Sequence, residues 1–536
     1  MAAYAGVYSK RVTPQSELIP GEDQVQNNAG GFVYRIDDWA RLDRFLILGS
    51  STNTYYQTAQ KLSRENAEGV VRCLTRDGPR TVARIVEISD SGRAPKNDPA
   101  IFALAIAASL GDAVTKQAAF AALPKVCRIG THLFAFCGYV HGLRGWGRGL
   151  RSALARWYLD KEPAKLAYQA VKYQSREGWS HRDVLRLAHA KPVSEDQKVI
   201  LNWIVKGWPS IGSDPHPNDR VVLLWAFERA KRAENDAEII ELIHQYHLPR
   251  EAVPTQFLTK PAVWEALLDG TPMTAMLRNL GTMSKVGLLT MGSNAERLVI
   301  ENLRDTARIK EARVHPIAIL SALTVYRQGH GERSEATWTA CRRVVDALDD
   351  AFYASFQTVE PTGKSHLIAL DVSGSMSSGI IAGVPGLTPR VASAALALVA
   401  MNVESQSDCI AFTWADNAVT PLTISPRQRL DDVLKIVDGL QMGVTDCALP
   451  MLWAIKQKIS VDLFEVLTDN ETWAGTIHPS QALRQYRQAL GINARSVVVG
   501  MTATQFSIAD PNDAGMMDVV GFDAAAPAII ADFARS

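Results

Sequence analysis

Asp371-Val372-Ser373-Gly374-Ser375-Met376 decides how the C-terminal third of the chain is read. It follows the apolar run His366-Leu367-Ile368-Ala369-Leu370, whose length and composition fit a buried strand. An Asp at the end of such a strand, with hydroxyls at two alternate positions, can aim three oxygens at one point. Hard divalent cations take oxygen ligands, and Mg²⁺ keeps some of its waters.

Working outward, strand-like runs over Leu367–Asp371, Asp408–Trp414, Leu463–Asp469 and Arg495–Met501 alternate with helical patterns over Arg390–Val403, Leu430–Leu440, Cys447–Lys458 and Pro479–Leu490. That alternation predicts an α/β domain, a parallel sheet wrapped by helices. Ligands of such sheets bind beyond the carboxyl ends of the strands. Asp371 and Asp469 sit at two such ends, and Thr445 precedes a helix. Asp371, Ser373, Ser375, Thr445 and Asp469 therefore form an expected oxygen-ligand set for octahedral Mg²⁺. The competing reading is turn chemistry, with Asp371 and Ser373 bonding to nearby backbone.

An enzyme is not expected. Only His366 and His478 lie near these loops, and the chain has no GxSxG, Walker A or HExxH sequence. The metal is read as a bridge to an acidic ligand.

The 536 residues are enough for two or more domains. Apolar content of 47% and charged content of 21% fit a globular chain. No apolar run reaches the roughly 18 residues that cross a bilayer, and residues 1–31 lack an apolar signal core. The six cysteines form no CxxC pair, which predicts reduced thiols and a cytoplasmic protein without membrane attachment.

The net charge of +1 hides an asymmetry: residues 361–536 hold 11 Lys/Arg and 17 Asp/Glu, against 46 and 39 in residues 1–360. Residues 142–191 alone hold 11 Lys/Arg and 4 Asp/Glu. Concentrated positive charge points to a polyanion, or to a solvated helical face.

Residues 1–30 read as a flexible leader, 31–360 as serial short helices in the manner of a helical repeat, and 361–536 as the α/β domain. Within the helical part, Leu150, Ala153, Leu154, Trp157 and Tyr158 make one apolar stripe. In the next helix, Lys165, Gln169, Lys172 and Arg176 follow at spacings of 4, 3 and 4. Ser180-His181-Arg182-Asp183 has the form of a capping box. Beyond it Arg182, Arg186 and His189 fall on one helical face. Lys165, Lys172, Arg176, Arg182, Arg186 and His189 are the expected RNA-binding residues, since long cations hold phosphates and Arg also stacks on bases. Tyr168, Tyr173, Trp146 and Trp179 could serve as base platforms; Trp157 and Tyr158 are expected in the core.

The chain resembles the Ro autoantigen family of RNA-binding proteins from about Gly31 to Phe533. The resemblance is carried by Thr115-Lys116-Gln117-Ala118-Ala119-Phe120, Val126-Cys127-Arg128-Ile129, Thr131-His132-Leu133-Phe134, Gly178-Trp179-Ser180-His181, Val359-Glu360-Pro361-Thr362-Gly363-Lys364, Thr445-Asp446-Cys447-Ala448-Leu449-Pro450-Met451, Thr468-Asp469-Asn470-Glu471-Thr472 and Ile508-Ala509-Asp510-Pro511. The alanine-rich composition looks like that of a bacterial member. The resemblance implies a TROVE module: a ring of HEAT-like helical repeats, closed by a Rossmann-like von Willebrand factor A domain with a metal-ion-dependent adhesion site. It implies that Lys172, Arg176 and His189 bind RNA, and that the adhesion-site motif carries over to Asp371, Ser373, Ser375, Thr445 and Asp469 without a substitution. It further implies Y RNA on an outer basic surface and single-stranded ends of misfolded or structured RNA in a central hole. In bacterial relatives a Y RNA tethers the protein to polynucleotide phosphorylase. Two stretches depart from the family pattern, the glycine-rich Gly142–Gly149 and the loop Ser377–Pro389 beside the metal-site residues. The alternative class is a metal-dependent protein-adhesion module, with an acidic protein ligand at the metal and the helices as scaffold.

Overall fold

The computed structural model describes residues 12–48, 68–94, 96–176, 178–208, 215–312, 314–331, 336–356, 360–378, 381, 387–413, 419–425, 428–502, 504–520 and 525–536. They form two compact units. One holds the described residues up to Arg44 and from Phe356 onward; the other holds those from Phe45 to Ser355. The strands are β1 (Gln24–Gln26), β2 (Phe32–Arg35), β3 (Ser175–Arg176), β4 (Trp179–Ser180), β5 (His366–Asp371), β6 (Ser407–Phe412), β7 (Val419–Leu422), β8 (Leu463–Thr468), β9 (Arg495–Gly500), β10 (Phe506–Ser507) and β11 (Met516–Val520).

The first unit is built on a six-stranded sheet ordered β11-β9-β8-β5-β6-β7. All pairings are parallel except β6 with β7. Every residue of β5 and of β8 is buried, which is why both read as continuous apolar runs. The chain leaves β5 for β6 on one side and returns to β8 on the other. This reversal opens a crevice at the carboxyl ends of β5 and β8, and it is where Asp371 and Asp469 meet. The four expected strands are present; Trp414 lies outside the described residues. The edge strands β7 and β11 were not expected. They are short, and Pro421 and Asp518 interrupt the apolar pattern.

The flexible leader expected over 1–30 does not hold for residues 12–30; residues 1–11 lie outside the described residues. β2 pairs with both β1 and β10. Gln15 is fully buried. Its Nε2 donates to Asp446 Oδ1 at 2.7 Å and to the Ile477 carbonyl at 2.8 Å. Asn27 Nδ2 donates to the Thr472 carbonyl at 2.7 Å, and Asn28 Nδ2 to Glu471 Oε1 at 2.6 Å. A polar segment is held here by polar bonds to loops more than 400 residues away, so no apolar periodicity announces it.

Among its described residues the second unit is mainly helical, with the small β3–β4 hairpin and an isolated bridge between His330 and Thr337. Its helices start where the sequence offers a cap. Asp77, Asp112, Ser180, Ser194, Asn235, Ser293 and Asp305 each accept a backbone N–H from the first turn, each worth about 1 kcal/mol. Helix Asp98–Leu110 is buried from Pro99 to Ser109. It packs on Ala113–Val126 and Gly130–Leu143. Farther on, Arg342–Ala354 packs on Asn294–Arg304 and Pro316–Gln328. A long-range link joins the ends of this unit. His315 Nε2 donates to the Arg93 carbonyl at 3.0 Å, and its Nδ1 accepts from Ile317 N at 3.1 Å. Among the described residues no helix is long and apolar enough to cross a membrane.

Candidate functional site

In the first unit Asp371, Ser373, Ser375 and Asp469 lie close together, while Thr445 is held in the loop that follows Val444. Asp371 ends β5, is 1% exposed, and is held at both oxygens. Ser373 N donates to Oδ1 at 2.9 Å, and Thr468 Oγ1 to Oδ2 at 2.7 Å. The short turn of helix Gly374–Ser377 brings Ser375 Oγ to 2.9 Å from Ser373 Oγ. Thr445 is buried, and its carbonyl accepts from Trp473 N and Ala474 N, each at 3.2 Å. Asp469 Oδ1 accepts from Glu471 N at 3.1 Å, whereas its Oδ2 is buried with no hydrogen-bond partner.

Burial, and then the charge of Asp469, raise the Asp371 carboxyl well above the usual carboxylate range. Burial likewise raises Asp469, against the Ser375 hydroxyl and the Glu471 N–H. Two buried carboxylates with raised proton affinity, one beside the other's charge and one with an orphaned oxygen, are what a hard cation would relieve. The donors are all oxygens, and no cluster of three His, Cys, Asp or Glu is found among the described residues. The set therefore fits Mg²⁺ better than a softer metal. Turn chemistry is also present, in the Asp371–Ser373 bond, but it leaves Asp469 Oδ2 unexplained. Thr468 is a positioning residue that sequence reasoning missed; its place directly before Asp469 was the available signal. Of the loop Ser377–Pro389, residues 379–380 and 382–386 lie outside the described residues.

The second constellation lies in the helical unit. Helix Pro163–Lys172 buries Leu166, Ala167, Ala170 and Val171, leaving Lys165 exposed. Lys172 is half-buried: its Nζ donates to Tyr168 Oη at 3.0 Å and lies 5.3 Å and 5.6 Å from the Tyr168 and Tyr173 ring centroids. The capping box at Ser180 and Asp183 is complete. It starts helix His181–Ala188, which exposes Arg182 and Arg186.

Two expected alignments change. The helix stops at Lys172, so Arg176 sits in the β3–β4 hairpin, turned by Gly178 at φ 82°, and pairs with Asp98 at 3.8 Å. Gln169, expected on the basic side, instead accepts from Gly130 N at 2.8 Å. His189 is not a helical residue either. It is the left-handed C-cap at φ 51°, its N–H bonded to the Leu185 carbonyl, because the following Lys191-Pro192 cannot continue the helix. Both residues stay exposed, but turns present them, not one helical stripe. Trp157 and Tyr158 are core residues, as expected. Trp146 and Trp179 lie 5.4 Å apart and are tilted by 39°, with Trp146 Nε1 donating to His141 Nδ1 at 3.2 Å.

A buried histidine sets the geometry of this face. His181 is 3% exposed. Its Nδ1 accepts from Tyr158 Oη at 2.9 Å, and its Nε2 donates to the Gln169 carbonyl at 3.3 Å. A Cβ on Gly130 would stand 3.0 Å from that Nε2, so the approach needs glycine. Burial lowers the imidazole to about 4, keeping it neutral.

Comparison with known proteins places these two constellations in one family. Residues 25–324 match the TROVE domain, and residues 365–534 match the Ro60 vWA domain. The chain belongs to the Ro60 family. It is 44% identical over 525 residues to the RNA-binding protein RO60 of Deinococcus radiodurans, covering 97% of each chain. It is 35% identical over 600 residues to the RNA-binding protein RO60 of Caenorhabditis elegans, covering 98% of this chain and 92% of that one. The crystal structure of the Deinococcus radiodurans RO (RSR) protein superposes with a TM-score of 0.72 at 42% identity, covering 93% of this chain and 99% of that one. The expected metal ligands thus fall within the Ro60 vWA match, and the basic residues within the TROVE match.

Proposed function

We propose that this protein is an RNA-binding scaffold of a small ribonucleoprotein and not an enzyme. The observation that carries the reading is the exposed basic face of the TROVE domain. Lys165, Arg176, Arg182, Arg186 and His189 all reach solvent within 25 residues of one another. Among the described residues Arg182, Arg186 and His189 have no ion-pair partner. Unpaired cations on short, capped elements suit phosphate contacts, which give affinity without sequence readout. Resemblance extends the reading to Y RNA on this face, to single-stranded ends of misfolded or structured RNA in a central hole, to a cytoplasmic role in RNA quality control, and to a Y-RNA tether for polynucleotide phosphorylase.

In the vWA domain, Asp371, Ser373, Ser375, Thr445 and Asp469 would hold Mg²⁺, which when bound supplies an open coordination position for a carboxylate. Thr468 and the Ser373 N–H fix the Asp371 oxygens. Trp473 at 40% and Met442 at 55% exposure favour a second role as an adhesion module for an acidic protein ligand.

The test is removal of charge at Lys172, Arg176 and His189 together. RNA affinity in a filter-binding assay should fall at least tenfold, about 1.4 kcal/mol, with thermal unfolding nearly unchanged. Equal affinity in a folded variant would sink the assignment.

A further inference from the structure

The basic face has a second side. Lys172 and Tyr168 also line a concavity of about 330 Å³, bounded by helix Pro163–Lys172, the turn Arg250–Ala252 and helices Pro261–Leu268 and Met273–Lys285. Its walls carry Arg250, Glu251, Trp264 and Asp269.

Arg250 is the unusual member. Its guanidinium carbon stands 5.7 Å from the Trp264 ring centroid. Its Nε is buried without a hydrogen-bond partner, and among the described residues no carboxylate pairs with it. Trp264 is 2% exposed and spends its own N–H on the Leu258 carbonyl at 2.7 Å, so it acts as a rigid floor under the guanidinium. That Nε is itself shielded from the cavity, so what Arg250 offers a ligand there is its terminal nitrogens, for which there is no hydrogen bond among the described residues. Lys172, on the same wall, keeps two donors free after its bond to Tyr168 Oη.

The carboxylates define what else the ligand must have. Glu251 and Asp269 stand on the same walls as Lys172 and Arg250, with His244 and His247, so the cavity offers acceptors as well as donors. The volume is also far larger than a phosphate or an amino acid fills, and it lies in the range of sites for small organic ligands. What matches is a ligand with an anionic group at one end, a flat ring, and N–H donors on its edge. A nucleotide has all three: phosphate for Lys172 and Arg250, a ring for Tyr168, and amine or imino N–H groups for Glu251 and Asp269.

We propose that this concavity is a binding pocket for one unstacked nucleotide of a single-stranded RNA, with guanosine the best match to its carboxylates. The inference rests on the RNA-binding reading. It adds a second, concave contact behind the exposed cations, sharing Lys172 with them. A strand held at the outer face by phosphates would turn one base into the pocket, paying a few kcal/mol of lost stacking for the Arg250 and carboxylate contacts.

The test uses the full chain and fluorescent RNAs of about twelve nucleotides, one single-stranded with a central guanosine and one a blunt duplex. Arg250→Gln keeps the side-chain length and removes the charge. It should weaken the single strand by about fivefold or more, leave the duplex within about twofold, and leave the melting temperature unchanged; millimolar 5′-GMP should compete for the single strand on the wild type only. Ultraviolet cross-linking of the wild type, mapped by peptide mass spectrometry, should place the guanosine on Tyr168 or on residues 250–272. Unchanged single-strand affinity in Arg250→Gln, or a cross-link mapped elsewhere, overturns the pocket while leaving the RNA reading intact. A wild type that binds neither RNA removes both. If Arg250→Gln does not fold, the wild-type cross-link alone decides.

Discussion

His181 offers a sharp test, because it joins stability, pH and the basic face. The ring is packed between Phe134, Trp157 and Tyr158 and is bonded at both nitrogens in its neutral form. Its folded pKa of about 4 lies below the ordinary 6.5. A depressed pKa means that the unfolded chain binds the proton more readily. The stabilisation is therefore complete above pH 6.5 and is lost as pH falls toward 4. The difference corresponds to about 3 kcal/mol at full extent, of which about 2 kcal/mol is lost between pH 7 and pH 5.

His132, which burial also holds at about 4, adds a contribution of the same sign, so wild type alone does not isolate His181. His181→Phe does. It fills the aromatic site but cannot titrate, and it leaves Tyr158 Oη without its partner, at about 1–3 kcal/mol if that group stays buried, whereas the Gln169 carbonyl keeps its bond from Tyr173 N at 3.0 Å. The variant should be less stable at pH 7 yet lose about 2 kcal/mol less than wild type on going to pH 5. Urea unfolding of the helical unit, followed by tryptophan fluorescence at both pH values, measures the difference. Equal pH losses in the two proteins, to within about 0.5 kcal/mol, would refute the assignment of a buried neutral imidazole.

Other outcomes follow from the same geometry. After chelation, adding Mg²⁺ should raise the wild-type melting temperature, by about 2.7 kcal/mol of stability at a hundredfold excess over Kd. Asp371→Ala should abolish that gain and spare RNA binding, and a collapse of RNA affinity in the folded variant would mean the two sites are not independent. In chelator, differential scanning calorimetry should find Asp469→Asn more stable than wild type, because the orphaned oxygen no longer carries charge. Gln15→Ala should destabilise the first unit by about 1–3 kcal/mol, since Asp446, already pushed up to about 6 by burial, loses a donor; an unchanged melting curve would show that residues 12–30 are not structural. His366, donating to Glu465 at 2.6 Å, is raised despite its burial, so its contribution is present below pH 6.5 and is lost as pH rises through the folded pKa. His366→Gln should flatten that limb of the stability profile in a pH series of melting curves.

Much of the vWA domain was legible in the chain because its cause is local. A strand buried on both faces must be a continuous apolar run, and a crossover helix must be periodic, so β5, β6, β8 and β9 and their helices announce themselves. Asp371, Ser373, Ser375 and Asp469 were legible for the same reason, each adjoining the end of such a run. The capping box at Ser180 and the core placement of Trp157 and Tyr158 were equally local matters.

What failed depended on a distant partner or on where a helix stops. The polar stretch 12–30 gives no sign that Gln15 will find Asp446, because a hydrogen bond between residues 431 apart leaves no periodicity. Arg176 and His189 looked helical by spacing. Yet their backbone is set by a glycine turn and a proline-terminated cap, and spacing counts residues without knowing where a helix stops. The orphaned oxygen of Asp469 and the unpaired Nε of Arg250 exist only once the fold has removed water from them. The amino-acid sequence by itself determined the strands and helices of the buried α/β core, which family the chain belongs to, and which residue types could hold a cation or a phosphate. Only the tertiary structure decided which of those groups are left unsatisfied, because an unmet hydrogen bond or charge is a property of surroundings assembled from the whole chain.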